Sequence, residues 1–400
     1  MERKELSIAI VGGGIGGLSA ALSLLRAGVD VHVYERVRTI SEVGAGIVVS
    51  PNATRILHRL GLAEALEETA VRTQAWHERR WDDGRTLIRT PIAGAMEAAF
   101  GFPFYHMHRA DLLNTLLGAL PPERLHLGHT FRTLVDHGDH VEAEFENGAH
   151  IRADALVGAD GIHSAVRQIL FGPEKPHFTG CIAYRGLVPP DRLAHLDLEV
   201  TAQLWMGPGR HLIHWFVQNQ RLLNFVAVIE QDTWTKESWT DRGEVADLLA
   251  AYEGWHPQVR SILGALDETF IWALFDRQPM AHWSAGRVTL LGDACHPMLP
   301  FTAQGAAQAI EDGATLAACL SDTGARDVPA ALRKYEAIRL PRTSRIQSRS
   351  AANKTHLHLP DGPAQQARDA AMVGSGTDFS PEAAAWLYGY DAGEPGVLSA

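Results

Sequence analysis

From Leu6 to Val11 the chain is an unbroken apolar, β-rich run, the pattern of a strand buried on both faces. A glycine-rich stretch, Gly12 to Gly17, follows at once. Leu18 to Ala27 then predicts a helix closed by Gly28, and Val29 to Tyr34 a second strand ending at Glu35. Together they make one strand–helix–strand unit of about thirty residues. Ser50-Pro51 predicts a helix start, with Ser as the N-cap and Pro at the first helical position, and Gly61 a stop after Leu60. Trp76 to Ile92 alternates around Asp82-Asp83-Gly84, which predicts a hairpin. Arg109 to Leu120 predicts a helix. Val141 to Phe145 and Ile151 to Val157 predict strands on either side of the Asn147-Gly148 turn.

The middle of the chain changes character. Ala202 to Met206, Leu212 to Val217 and Leu222 to Ile229 predict antiparallel strands, with Trp205, Trp215 and Phe216 among them. A helical pattern returns near Val245 to Tyr252. Arg287 to Leu291 predicts another buried strand leading into Gly292-Asp293, and Gln304 to Leu320 a helix rich in small residues. The last sixty residues predict helix and then irregular chain, with an aromatic cluster from Trp386 to Tyr390. The expected fold class is α/β: a discontinuous, Rossmann-like nucleotide-binding domain with an inserted β-sheet domain. The expected division is 1–75, 100–177 and 281–345 for the first domain, 76–99 and 178–280 for the insert, and 346–400 for a C-terminal segment.

Composition narrows the classes. With 400 residues, 46% hydrophobic and 21% charged, the chain can bury a large core. A net charge of −11 argues against nucleic acid as a partner. The three cysteines, Cys181, Cys295 and Cys319, form no C-x-x-C pair, so neither a disulfide framework nor a metal site is expected, and a reducing cytoplasm fits. Ile8 to Leu25 is apolar enough to resemble a signal sequence, but its five glycines fit a phosphate-binding turn better. No apolar run is long enough to predict a membrane span.

Gly12-x-Gly14-x-x-Gly17 carries the first chemistry. The first glycine permits the tight turn, the second a close approach by a pyrophosphate, and the third close packing of helix on strand. The pyrophosphate then rests on a helix N-terminus, where amide donors and the helix dipole favour an anion. Glu35 stands 18 residues after Gly17, where an acid can bind ribose hydroxyls, and Arg36 follows it. A plain glycine-rich turn with a solvated Glu35 is the alternative. This motif does not separate NAD from FAD.

Two further stretches do so by resemblance. Gly158-Ala159-Asp160-Gly161-Ile162-His163-Ser164-Ala165-Val166-Arg167 resembles the D-G motif of class A flavoprotein aromatic hydroxylases, and Gly292-Asp293-Ala294-Cys295-His296-Pro297 resembles their G-D motif. His108-Arg109-Ala110-Asp111-Leu112 resembles an element whose Arg lies near FAD. Within that family the likeness is to salicylate hydroxylase and its 3-hydroxybenzoate and 6-hydroxynicotinate relatives. It is carried by Gly180 to Leu187, Gly207 to His211 and Met298-Leu299-Pro300. The resemblance implies a GR2-type FAD-binding domain and a monooxygenase that consumes NADH or NADPH and O2. The reaction would hydroxylate a phenolic acid through a flavin hydroperoxide. It also implies a cytoplasmic monomer or homodimer with no nucleic-acid or membrane partner. Asp293 would accept from ribityl hydroxyls, and the helix at Gly305-Ala306 would aim its N-terminus at the flavin. Asp160 and Arg167 would either bridge towards the cofactors or form a structural ion pair.

The chemistry needs a base near the ring hydroxyl, because a phenolate is a far better nucleophile than a phenol. Histidine suits that role, and of 20 histidines His211 is the one that matches a family position on a substrate-facing strand. His214 should face the opposite side. His296 is expected to order its loop. Arg185 or Arg210 is expected to hold a carboxylate, and Tyr184, Trp215, Pro300 and Phe301, with Trp205 and Phe216, to wall the pocket. Phe301 and Val48 stand where some relatives carry His, which disfavours a pyridine substrate. A flavin-dependent halogenase is disfavoured by the lack of W-x-W-x-I-P, and a simple dehydrogenase by the D-G and G-D motifs. A flavin-binding sensor module is the non-enzymatic alternative.

Overall fold

The computed structural model describes residues 6–40, 45–232, 242–321, 323–374 and 380–393. The first apolar run is a strand, Ser7–Val11, paired in parallel with Asp30–Glu35 on one side and Ala155–Gly158 on the other. The six-stranded sheet runs Ser284–Ala285, Val288–Leu290, Ala155–Gly158, Ser7–Val11, Asp30–Glu35, Leu125–Leu127. Three well-separated stretches of chain therefore build one sheet, and the longest excursion between them carries most of the second one.

The glycine turn is enforced sterically. Gly12 has φ +113°, and a Cβ there would meet the Ala159 carbonyl at 2.3 Å. A Cβ on Gly17 would meet the Gly12 carbonyl at 1.9 Å, so no other residue lets the Ile15–Arg26 helix start so close to the strand. That helix packs against Gly305–Leu320. A Cβ on Gly313 would lie 2.8 Å from the Ala20 backbone, and one on Gly16 3.2 Å from the Ala309 Cβ. Both contacts step four residues along both helices, so the helices are parallel and their N-termini open at the same end.

The second sheet has eight strands, in the order Arg242–Gly243, Thr269–Asp276, His177–Val188, Leu222–Glu230, Arg210–Val217, Ala202–Gly207, Ala75–Arg80, Thr86–Pro91. The three expected central strands are antiparallel neighbours. The hairpin at Trp76 to Ile92 joins this sheet through a parallel pairing of Ala75–Arg80 with Ala202–Gly207. One face packs on the helices Val245–Ala251 and Pro257–Gly264 through Trp205, Leu212, Phe225, Leu248, Tyr252 and Val259.

Two expectations need correction. The single strand expected from Ile151 to Val157 is two strands, His150–Ala153 and Ala155–Gly158, in different sheets. Asp154 makes the break: its carboxylate accepts from the Ser7 amide at 3.0 Å and its carbonyl from the Arg287 guanidinium at 2.9 Å. The C-terminal region is also more ordered than expected. A helix runs Val328–Leu357 and another Pro363–Gly374, the second lying against Thr86–Pro91. Residues 394–400 lie outside the described residues.

Candidate active site

The two parallel helices create the first half of the site. Neither Gly14 nor Gln304, their N-caps, makes a side-chain capping bond, so the first-turn amides of both helices are uncapped by side chains. A Cβ on Gly14 or Gly305 would meet nothing within 4 Å. Two uncapped N-termini opening at one end, with room at their glycines, suit an extended ligand with several anionic groups. Glu35 ends its strand beside the glycine turn and accepts from the Gly13 amide at 2.7 Å and the Val37 amide at 3.0 Å. Arg36 is exposed next to it.

Asp293 lies on a short turn after Val288–Leu290. Its side chain is accessible but crowded by protein. Desolvation raises its pKa, opposed by the charges of His296 and Arg109. Arg109 begins its helix with its amide bonded to the Ala45 carbonyl at 2.8 Å, close enough to act on Asp293. Ala306 follows Gly305 in the first turn and is half-buried. The donor set fits a dinucleotide: amides for phosphates, Glu35 for a ribose and Asp293 for a polyhydroxyl chain.

Asp160 has a local partner. One carboxylate oxygen accepts from the Ala165 and Val166 amides at 2.8 and 3.2 Å, capping the helix Ala165–Phe171. Burial raises its pKa. Of the two alternatives for Asp160 and Arg167, the ion pair between them is not made: Arg167 turns to Glu174. His296 behaves as expected and orders its loop, with Nε2 2.6 Å from Asp312. Asp312 also accepts from the Gly292 amide at 3.0 Å and from Arg339 at 2.7 Å. These charges hold the Asp312 carboxyl down at about 2 against its burial.

The second half of the site is a cavity of about 390 Å³ on the other face of the eight-stranded sheet. Strand alternation selects its wall. His211, Ile213 and Trp215 point in, as do Val226 and Val228 of the neighbouring strand. Trp76 and Glu78 enter from the hairpin, Pro300, Phe301 and Ala303 from the segment before the Gly305 helix. Ala303 has φ +52°, a left-handed conformation costly for a residue with a side chain, in the cavity wall just before the Gly305–Leu320 helix. Val48 adds apolar wall.

The same alternation overturns several expectations. Tyr184, Trp205, Arg210 and Phe216 lie on the opposite face. Tyr184 and Trp205 belong to the core under the helices, Phe216 to a neighbouring cluster, and Arg210 reaches the Ala251 carbonyl. A residue next to one that points into the cavity cannot also do so, which is why Phe216 is excluded by Trp215. Arg185 is on the cavity side, opposite Val226, but its guanidinium stacks 4.7 Å from the Trp272 ring and does not line the cavity. Trp215, Pro300 and Phe301 do line it. His214 faces away, as expected, and burial lowers its pKa to about 3.

Several lining residues escaped the sequence reading: Glu78, Asn353, His356, Leu357, Arg368 and Met372. All but Glu78 come from the C-terminal helices. Arg368 is buried, donates to Asp369 at 2.8 and 3.0 Å and to the His356 carbonyl at 2.7 Å. His211 is buried too. Its Nδ1 lies 2.6 Å from Nε2 of His358, and Phe301 meets its ring edge-on at 5.3 Å. Burial first, then His358, pushes the His211 pKa well below the usual histidine range. The alternation His356-Leu357-His358 at a helix end was the only sequence signal for this partner.

Known proteins share this chain's sequence and fold. An FAD binding domain family matches residues 5–350. A 3-amino-4-hydroxybenzoate 2-monooxygenase of Streptomyces platensis is 44% identical over 97% of both chains. A 6-hydroxynicotinate 3-monooxygenase of Pseudomonas fluorescens is 37% identical over 89% of this chain and 93% of its own. A salicylate hydroxylase solved with substrate superposes with a TM-score of 0.85 at 26% identity, covering 99% of this chain and 98% of that one. Among the described residues no helix is long and apolar enough to cross a membrane. The chain belongs to the FAD binding domain family and, within it, is an FAD-dependent aromatic-ring monooxygenase that uses NAD(P)H and O2.

Proposed function

We propose that the chain hydroxylates a benzoate that carries a ring hydroxyl and a neighbouring amino group. The observation that carries this reading is the polar content of the cavity: His211, Glu78 and Arg368 in an otherwise largely apolar wall. Arg368 gives a guanidinium for the ring carboxylate. Glu78 is an acceptor for an amine, and His211 takes the proton from the substituent whose lone pair drives the attack. The 44% identity to a 3-amino-4-hydroxybenzoate enzyme across 97% of both chains includes the segment that bears Arg368, which supports the same class. Val48 and Phe301 offer no polar group to a pyridine nitrogen, which disfavours 6-hydroxynicotinate. Salicylate and 3-hydroxybenzoate are the alternatives, since both keep the carboxylate and hydroxyl but leave Glu78 without an amine.

FAD, once reduced by NAD(P)H, supplies an electrophilic oxygen atom from O2. The chain's part is to bind, orient and dry the ring. Gly12, Gly14, Gly17, Glu35, Arg36, Arg109, Asp160, Asp293, Gly305 and Ala306 would hold the cofactor. Segments 1–75, 100–177 and 281–345 would form its domain. Segments 76–99 and 178–280 would carry the substrate, with the helices Val328–Leu357 and Pro363–Gly374 closing the cavity. We read the protein as cytoplasmic, a monomer or homodimer, with no nucleic-acid or membrane partner.

The test is a panel of aminohydroxybenzoates, hydroxybenzoates and hydroxypyridines with NADH and NADPH and product identification. Ring hydroxylation of an aminohydroxybenzoate in preference to its deamino analogue is expected. Turnover of hydroxypyridines alone, or NAD(P)H oxidation giving only hydrogen peroxide across the panel, would overturn it.

A further inference from the structure

His211 is the first link of a chain of three side chains. Its Nδ1 is 2.6 Å from His358 Nε2, and His358 Nδ1 is 2.9 Å from Glu230 Oε1. The two histidines are buried, whereas the Glu230 side chain is 43% exposed. The chain thus runs from the cavity wall, past the ends of two central strands, to solvent. The backbone pins it: the Gly209 amide donates to the His358 carbonyl at 3.0 Å, and the Glu230 amide to the Gly209 carbonyl at 2.9 Å. The order of donors is fixed by elementary valence. A carboxylate only accepts, so His358 carries a proton on Nδ1; in the neutral ring, which its burial favours, Nε2 accepts and His211 donates from Nδ1. His211 Nε2 is then left as a lone pair.

We infer that His211, His358 and Glu230 form a proton relay that takes the proton of the bound substrate's ring substituent to solvent and returns it to the product. In the outward pass the substrate O–H or N–H gives its proton to His211 Nε2. His211 gives its Nδ1 proton to His358 Nε2, His358 its Nδ1 proton to Glu230, and Glu230 releases one to water. Both imidazoles are now in the opposite tautomer. The return pass, from water to product, restores them, so the cycle leaves no net proton on the chain. The groups acting on His358 are Glu230, Lys354 one turn earlier on its own helix, and Arg210 from the strand that bears His211. Among the described residues, His358 is the titratable group acting on His211. His358 and Glu230 touch no substrate and are positioning and relay residues.

The inference rests on the reading of this cavity as the substrate site, so its test separates the two. In the FAD-loaded protein labelled with 15N-histidine, long-range proton–nitrogen spectra should show His211 protonated on Nδ1 and bare on Nε2. A His211 protonated on Nε2 overturns the relay whatever the substrate. Binding of the substrate found by the panel, followed with a pH-indicator dye, should release a proton in the wild type. In Glu230→Gln, a surface change that keeps the hydrogen bond, release should slow by roughly tenfold or more. In His358→Ala it should slow by roughly 100-fold, the low end of what a positioned proton-transfer group supplies, and free imidazole should restore it. Unchanged release in Glu230→Gln overturns the relay alone, because substrate still binds. Binding that is insensitive to His211→Gln overturns the site reading instead.

Discussion

His211 and His358 are 147 positions apart in sequence, and their ring nitrogens lie 2.6 Å apart in the fold. One comes from a strand of the large sheet and the other caps the long helix Val328–Leu357. The pair is fully buried, so replacing His211 affects chemistry without opening the protein to solvent. We expect His211→Gln to keep bound flavin and to lose about 10²-fold or more in hydroxylation rate. Product quantified against NAD(P)H consumed will check this, and a full rate would refute the base assignment.

Arg368 should act on affinity for the ring carboxylate. A hydrogen bond to a charged group contributes about 1.5–3 kcal/mol, so Arg368→Met should raise KM roughly 10- to 100-fold with a smaller change in kcat. The carboxamide of the same substrate should show little difference between variant and wild type. Equal losses for acid and amide would place the carboxylate elsewhere.

The glycines divide into two classes. Gly17→Ala forces a Cβ to within 1.9 Å of a backbone carbonyl and should abolish soluble folded protein. Gly305→Asp meets no steric obstacle but puts a carboxylate at the helix N-terminus proposed to face the cofactor. It should fold with a near-normal melting temperature and purify with little flavin, read from the ratio of flavin to protein absorbance.

Arg339 is completely buried between Glu311 and Asp312, at 2.7 Å from the latter. Removing one partner of a buried ion pair costs about 3–5 kcal/mol, because the other charges stay behind. Arg339→Met should lower the urea midpoint accordingly. A midpoint within error of wild type would mean that the carboxylates re-pair with Arg342, which already reaches Glu311 at 2.7 Å.

Acid should destabilise the protein through buried neutral histidines. Burial lowers His106 and His214 to about 3, well under the unfolded value near 6.5. Between those values the unfolded chain binds the extra protons, so stability is full above about pH 6.5 and is lost as pH falls. The slope contributed is up to about 1.4 kcal/mol per pH unit per histidine. Urea melts at pH 7, 6, 5 and 4 should show it, and His106→Gln should flatten it.

The glycine-turn half of the candidate site was legible in the sequence because its parts are local. Gly12, Gly14, Gly17 and Glu35 fall within one strand–helix–strand unit, and their spacing reflects backbone sterics that any such unit obeys. Asp293 and Asp160 needed resemblance, and Asp160 makes local helix-capping bonds in place of the ion pair that was one of its two alternatives. In the substrate half, type was legible but direction only in part. His211 and His214 were separated by counting along a strand. Tyr184, Trp205, Arg210 and Phe216 were grouped as pocket residues by kind, although strand parity puts them on the far face.

The sequence by itself determined the glycine turn, the first strand–helix–strand unit, the three central strands of the second sheet and the helix start at Ser50-Pro51, since each follows from periodicity or from short-range sterics; the histidine that faces the cavity needed resemblance as well. Only the tertiary structure decided what surrounds that histidine. The closure of the cavity by Arg368 and Met372, and the line from His211 through His358 to Glu230, join segments that share no local pattern. Hydrogen-bond direction and burial are properties of assembled neighbours, and no single segment of the chain specifies them.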